Sequence, residues 1–318
     1  MKSKENTLNF LWPVKNGFRG IRNAYKRVTV AHIESKLQSM FPTGYPVLCT
    51  SGRVALFIAL KESNVSRKDM VGAFPYANHC VLDAIARVAT PLMGPTSVSA
   101  DLRVVYHQWG YVQERSLPAN VIEDCVDTLC VPGTALFPGG GSFEIWSLPK
   151  ILGTTSGGVL WCRDENTANS IRQKRDNGSG STFQWMLRLL MYRFEKLLDY
   201  WQGAESKYRK VSLWQTGEIW SAILQWDAFV ADRKNKLQLI WKYAVSGLPQ
   251  PSDRLPTLVP VSATISEEEA WRLGILHGYR MMEKIGDDGS RSLIRVLPVP
   301  IHQSFSIVQL HKTVEQIK

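Results

Sequence analysis

Between about residues 45 and 162, short apolar runs of four to six residues alternate with stretches whose apolar positions recur at helical spacing. Pro46–Thr50 reads as a strand, and Arg53–Lys61 carries a helical apolar stripe. Met70–Phe74 is strand-like again and precedes a helical stretch around Val81–Val88. Leu102–Tyr106, Val121–Asp124 and Gly157–Cys162 are further short strands. Strands this short, interleaved with helices, predict βαβ units and therefore a mostly parallel sheet. In such α/β sheets the ligand sits beyond the carboxyl ends of the strands.

The alternation stops near Arg163. Glu165–Arg175 is predicted helical and ends at Asn177-Gly178, with a flexible break at Gly178–Ser181. Gln184–Trp201 is a strongly amphipathic, aromatic and basic helix, and a long helical pattern follows from Thr216 to Tyr243. The Pro-rich Gly247–Pro260 then leads into a smaller unit. There the pattern predicts a strand at Thr257–Ser262, a helix at Glu267–Lys284, a strand at Ile294–Pro298 and a last helix near Ile307–Ile317. The expected organisation is a large α/β domain over residues 1–245 and a small C-terminal α+β domain over 246–318. There is no internal repeat.

Composition narrows the class of function. With 44% hydrophobic residues among 318, the chain can bury a sizeable core, which excludes wholesale disorder. A formal charge of +10 favours anionic partners: nucleotides, phosphorylated ligands, nucleic acid or an acidic membrane surface. No helix-turn-helix, RRM or finger pattern supports nucleic acid. Residues 1–30 hold seven Lys/Arg against the single acid Glu5, with Phe10, Trp12 and Phe18 as aromatic anchors. The five cysteines are scattered, with no CxxC pair and no histidine at zinc-ligand spacing, so neither a disulfide framework nor a structural zinc site is expected. No apolar stretch of about 18 residues exists to span a bilayer, and the N-terminus lacks a signal-peptide core. A cytoplasmic protein is the expectation.

Three constellations carry chemistry. In Thr50-Ser51-Gly52-Arg53-Val54-Ala55-Leu56 a strand end turns into a helix whose first amides make an anion seat, or simply a capped helix start. Val121-Ile122-Glu123-Asp124 ends a strand in two acids, which can hold a protonated ring nitrogen or a metal in the ligand crevice, or sit solvated on a turn. Ser147-Leu148-Pro149-Lys150-Ile151-Leu152-Gly153 places a lysine just before a Gly157-Gly158 strand. Burial would lower its pKa and make it nucleophilic; a snorkelling loop lysine is the plainer alternative.

In this order the pieces resemble the DegT/DnrJ/EryC1/StrS family of pyridoxal-phosphate-dependent sugar aminotransferases, of the aspartate-aminotransferase type I fold. Ser51–Leu56 is similar to that family's SGTxAL phosphate loop, and Val121–Asp124 to its VIED strand. Ser147–Gly158 is similar to the segment whose lysine bears the cofactor. Further similar segments are Ala89-Thr90-Pro91, Arg172–Gly178 (RxxRNHG in the family) and Leu297–His302 (LPIH). The resemblance implies a mostly parallel seven-stranded sheet and pyridoxal 5'-phosphate as cofactor. It implies that Lys150 carries the cofactor and shuttles the proton, and that Asp124 keeps the pyridine nitrogen protonated. Tyr76 would stack on the ring, while Ser51, Gly52, Arg53 and Ser147 would hold the phosphate. Asp127 falls near the ring oxygen, where a second carboxylate would repel a phenolate, so it is expected to be turned away or hydrogen-bonded. The implied partners are a nucleotide-linked keto sugar, an amino-acid donor such as glutamate, and a second subunit in a homodimer, serving surface-glycan or lipopolysaccharide synthesis. A sugar dehydratase of the same fold uses His as its base, and Lys150 argues against it.

The departures are specific. Arg53 replaces the phosphate-loop Thr, Ile145 replaces a Ser five residues before the lysine, and Pro95 stands where the family has Asp. Val211–Thr216 lacks the Asn and Arg of the segment that reaches the partner subunit's cofactor. These losses motivate an alternative: a catalytically reduced paralogue with a binding or regulatory role. From Arg172 to Lys210 there are nine Lys/Arg against four Asp/Glu, and the helix 184–201 fits a core-covering or dimer-interface role, or peripheral membrane contact. His79, Glu123 and His302 remain open as substrate contacts.

Overall fold

The computed structural model describes residues 12–13, 28–93, 100–112, 117, 120–180, 182–183, 186, 207–262, 264–273, 275, 278–286 and 290–317. The helix expected over 184–201, apart from Met186, and Pro95 lie outside the described residues. So does the basic N-terminal segment, apart from Trp12, Pro13 and residues 28–30.

Helix α1 (Val30–Met40) leads into β1 (Tyr45–Cys49) and α2 (Gly52–Glu62). Then come β2 (Met70–Ala73), α3 (His79–Ala86), β3 (Thr90–Met93), β4 (Leu102–Tyr106) and β5 (Val121–Asp124). The short β6 (Leu129–Cys130) precedes β7 (Phe143–Ser147), α4 (Leu148–Leu152) and β8 (Gly158–Cys162). The main sheet has seven strands in the order β1-β8-β7-β5-β4-β2-β3. Strand β8 runs antiparallel to both neighbours, and every other pairing in the sheet is parallel. The expected α/β class and mostly parallel seven-stranded sheet are therefore observed.

Alternation along each strand feeds two cores, one on each face of the sheet. Val47, Cys49, Phe143, Ile145, Leu160 and Cys162 pack with α2, α3 and α5 (Glu165–Asp176). Leu48, Trp146, Val159 and Trp161 point the other way, toward α1, α6 (Leu213–Ile223) and α7 (Trp226–Ile240). At the centre of that second core, Phe41 meets Trp146, Trp161 and Trp226 edge-on at 5.1–5.8 Å between ring centroids. Three short strands, β9 (Ser179–Gly180), β10 (Arg209–Lys210) and β11 (Arg254–Leu255), precede a three-stranded antiparallel sheet of β12 (Leu258–Val261), β13 (Arg280–Ile285) and β14 (Arg291–Pro300), ordered β12-β14-β13. The last helix, α9, spans Ile307–Gln316.

Two sequence expectations are corrected. The helix expected over Glu267–Lys284 is a short α8 (Glu267–Arg272), after which the chain turns into β13. Gly278 takes a positive φ of 55° before that turn, and Met281 is exposed while Met282 is buried, the two-residue period of a strand. The helix expected over Thr216–Tyr243 is two helices, broken where Trp226 turns its indole N–H to the Cys130 carbonyl at 2.8 Å.

Candidate functional site

Strands β1, β5 and β7 run in one direction, so their carboxyl ends open at the same edge of the sheet. At the end of β1, the Gly157 amide donates to the Thr50 carbonyl at 2.8 Å, and Ser51 pairs with Gly157 as an isolated bridge. Ser51 caps α2, its hydroxyl accepting from the Val54 amide at 3.2 Å. That contact brings the first turn of α2 against the β7–α4 junction. A Cβ on Gly52 would stand 3.1 Å from the Ser147 Cβ, so Ser147 and Gly52 are immediate neighbours. The Thr50 hydroxyl and the Arg53 Nε are both buried there without a hydrogen-bond partner.

Ser147 begins α4, a single turn with Pro149 in its first positions and Gly153 in the left-handed region at its end. That turn projects Lys150 back toward the end of β5. Its Nζ lies 3.2 Å from Asp127 Oδ1 and 4.7 Å from the Trp12 ring centroid. Asp127 is completely buried and accepts from three donors: Lys150, the Trp12 indole N–H at 2.8 Å and the Tyr106 hydroxyl. The alternative left open for Asp127 is thus decided: it is hydrogen-bonded, not turned away.

The charges of the two carboxylates set the lysine's state. Burial alone would lower the Lys150 pKa, but Asp127 and Asp124 prevail and hold it above the ordinary lysine value. The expectation of a lysine depressed by burial is corrected accordingly; the resting Lys150 is an ammonium. Asp124 is pushed up to about 6, first by burial and then by Asp127, against the opposing pull of Lys150 and the Val126 amide.

A raised carboxylate pKa costs the folded state at neutral pH. Asp124 has a folded pKa of about 6 against an ordinary 3.8, so the folded protein binds the extra proton between those values. Its contribution to stability is most favourable below pH 3.8, declines through that window and is at its worst above pH 6. Asp124→Asn is therefore expected to raise the stability of the cofactor-free protein at pH 8 by up to about 3 kcal/mol, and by much less at pH 4. Urea titrations at the two pH values check this.

The remaining candidates are placed as follows. Tyr76 lies on the loop after β2, packed on Phe74 at 5.1 Å, and its hydroxyl donates to Glu283 of β13 at 3.3 Å. Phe74 in turn lies 5.0 Å from Tyr106, so an aromatic chain runs from Tyr76 to the hydroxyl on Asp127. Glu123 is turned away from the site: it pairs with His107 at 2.8 Å and accepts from the Gly139 and Gly141 amides. His302 is buried; its Nδ1 accepts from the Ser304 amide and its carbonyl from Lys236. His79 opens α3. Ile145 sits in the core, so the hydroxyl at this junction is that of Ser147. Within Val211–Thr216, Ser212 and Gln215 form a capping box for α6, and Gln215 reaches Ser156 at 3.2 Å. The sequence shows Trp12 only as an anchor, Thr50 only as the strand end before the α2 turn, and Phe74 and Tyr106 only as the last residues of strands.

One lysine, two carboxylates and a helix N-terminus thus meet at the sheet's carboxyl edge. The family described as "Putative PLP-dependent aminotransferase" matches over residues 33–245. The chain belongs to this family. The fold of this aminotransferase is similar to that of the aminotransferase TlmJ from Streptoalloteichus hindustanus, with a TM-score of 0.66, 16% identity and 96% of each chain covered. Similar too are the sugar aminotransferase CalS13 from Micromonospora echinospora (TM-score 0.65, 17% identity, 97% of this chain and 98% of that one) and a DegT DnrJ EryC1 StrS aminotransferase from Brucella abortus (0.60, 13%, 94% of each). At such identities the likeness is one of fold. No curated protein matches the sequence.

The cofactor of the family is pyridoxal phosphate, and the residues present fit it. The two orphaned polar atoms, Thr50 Oγ1 and Arg53 Nε, flank a helix N-terminus of the kind that receives a phosphate. Asp124, a buried carboxylate at the end of β5 whose pKa burial pushes up to about 6, would be relieved by a protonated ring nitrogen. Lys150 supplies the primary amine. With Arg53 in place of the phosphate-loop Thr, a cation rather than a hydroxyl would be available to the phosphate, and Thr50 would offer a hydroxyl one residue before Ser51. Among the described residues no helix is long and apolar enough to cross a membrane.

Proposed function

We propose that this aminotransferase moves an amino group from glutamate to a keto sugar carried on a nucleoside diphosphate, in the cytoplasm, as a homodimer supplying surface-polysaccharide or lipopolysaccharide synthesis. The observation that carries the reading is the convergence of Lys150, Asp124 and the α2 N-terminus at one edge of the sheet. The sugar-aminotransferase fold neighbours support the substrate class, and the charge of +10 suits a doubly anionic nucleotide.

Pyridoxal phosphate, when bound, supplies an electron sink for the negative charge that develops on the substrate carbon. The chain's own residues do the rest. Ser51, Gly52, Arg53 and Ser147 would bind the phosphate, with Thr50 behind them. Asp124 would hold the proton on the ring nitrogen, and Tyr76 would wall one face of the ring. Lys150 Nζ would take a proton from one carbon and return it to the next, a task for which its third-exposed side chain has room to swing. Asp127 would receive the Lys150 ammonium whenever the lysine is free.

The alternative of a catalytically reduced paralogue with a regulatory role is favoured by one observation. Lys150 is already engaged by Asp127 and Trp12. A two-part experiment separates the readings. Adding glutamate to the protein saturated with pyridoxal phosphate should convert its visible band to the amino form, and a nucleoside-diphosphate keto sugar should restore it. A band that forms but ignores glutamate would move us to the paralogue. A band that responds to glutamate, but to no nucleotide-linked sugar, would retain the aminotransferase and remove the sugar substrate.

A further inference from the structure

Trp12 stands 115 positions before Asp127 in sequence, yet its indole N–H donates to that carboxylate at 2.8 Å. The same ring lies against Lys150 Nζ at 4.7 Å, within the range at which an ammonium is attracted to an aromatic face. Trp12 is held from behind by the cluster of Trp109, Tyr111, Leu258, Met282 and Val296, which joins the end of β4 to the three-stranded sheet. One side chain thus meets both members of the Lys150–Asp127 pair at once. No other described aromatic ring is both hydrogen-bonded to Asp127 through nitrogen and placed over the lysine.

Neutral donors matter at this position. A carboxylate beside a cofactor phenolate is unfavourable unless it is fully hydrogen-bonded, because two anions then face each other in a buried site. When Lys150 leaves Asp127 to do chemistry, Tyr106 and Trp12 are the donors that stay. We infer that Trp12 is a positioning residue of the site: its N–H orients Asp127, while its ring covers the Lys150 amine and limits access to it. This rests on the reading of Lys150 as the cofactor-bearing lysine.

The test uses the full-length, cofactor-free protein, so that it reads Trp12 whether or not that reading holds. Reductive methylation with formaldehyde and cyanoborohydride modifies only unprotonated, accessible amines, and mass spectrometry reports Lys150 against the exposed Lys68. The groups facing Lys150 are Asp127, Asp124 and Cys80. Behind Asp127 lie Tyr106 and Arg233, whose guanidinium is held by the carbonyls of Ile151, Leu255 and Pro256. Trp12→Ala removes the cover, the favourable ring face and the indole donor to Asp127; loss of the cover and ring outweighs the stronger hold of Asp127 on the lysine's proton, so Lys150 labelling at pH 8 should rise about threefold to tenfold relative to Lys68. Trp12→Phe keeps a ring over the amine but takes a donor from Asp127, which then draws harder on the lysine's proton. Its Lys150 should label more slowly than wild type at pH 8, with the pH midpoint of labelling moved upward.

Opposite signs in the two variants support the inference. Equal acceleration in both would mean a wall with no role for the N–H, and no change in either would mean that Trp12 does not cover the amine; each overturns it. A wild-type protein that never forms a visible band with pyridoxal phosphate would defeat the cofactor reading separately, whatever the labelling shows. Should Trp12→Ala fail to fold, the pH midpoint of Trp12→Phe alone decides: an upward shift supports the role of the N–H, and an unmoved midpoint ends it.

Discussion

Lys150→Ala should bind pyridoxal phosphate without developing a visible band that borohydride bleaches, and should lose amino transfer by about 10⁴-fold. Among the described residues, Lys150 is the primary amine that faces both Asp124 and Asp127, so no neighbour can take over its proton. Arg233 lies close by but holds three carbonyls and carries a guanidinium, a poor base. Lys150→Arg makes the argument sharper. It keeps a cation on Asp127 and should preserve the fold, yet it should be as inactive as the alanine variant. Charge at this position would then be separated from chemistry. Absorption spectra before and after borohydride, and single turnovers with glutamate, provide the readout. An alanine variant that retains the band would transfer the cofactor to another lysine and dismantle the site described above.

A strand is legible in sequence when its apolar run is unbroken until its polar residues begin. Val121–Asp124 reads as a strand to its last residue, because the apolar pair comes first and the two acids that follow fit the crevice edge at a strand's carboxyl end. Strand β7 (Phe143–Ser147) was not read as one, although it sits at the centre of the sheet. Its second residue, Glu144, interrupts the apolar run, and only the fold shows why it is tolerated: Arg254, 110 positions away, makes a two-point ion pair with it at 3.0 Å, and the Trp146 indole adds a third bond. An acid with a remote partner looks, in sequence, like a surface acid. Strand β3 begins Thr90-Pro91 and is an edge strand, where proline costs no ladder bond, so its pattern was too weak to see.

The same limit applied to the site. Ser51, Gly52, Asp124 and Lys150 were named as candidates from local order along the chain, and Ser147 with them. Trp12 and Tyr106 were not, because what makes them part of the site is proximity to Asp127, and neither is near it in sequence. The direction of the Lys150 pKa shift was missed for the same reason. Burial is a guess that a sequence allows, whereas a buried carboxylate at 3.2 Å is a tertiary fact, and here it outweighs burial.

Gly158→Ala should be the most damaging single methyl among the described glycines. A Cβ at Gly158 would stand 2.4 Å from the Gly52 nitrogen and the Ser51 carbonyl carbon, and 2.6 Å from the Ser51 oxygen. All three are backbone atoms, so no rotamer change relieves the contact. The glycine itself cannot retreat, because it opens β8 between two partners, paired with Cys49 of β1 and Ser147 of β7. Relief therefore requires the first turn of α2 to move by about 1 Å, which means moving the helix N-terminus proposed to seat the phosphate. The expected result is a loss of at least about 3 kcal/mol in stability and about 100-fold in pyridoxal phosphate affinity. Thermal melts and equilibrium dialysis measure the two effects. Gly180→Ala is the control: nothing lies within 4 Å of its would-be Cβ, so it should behave as wild type. Because β8 and α2 touch here through backbone, the fold and the proposed phosphate seat share one contact. A Gly158→Ala protein with normal affinity would place the phosphate elsewhere.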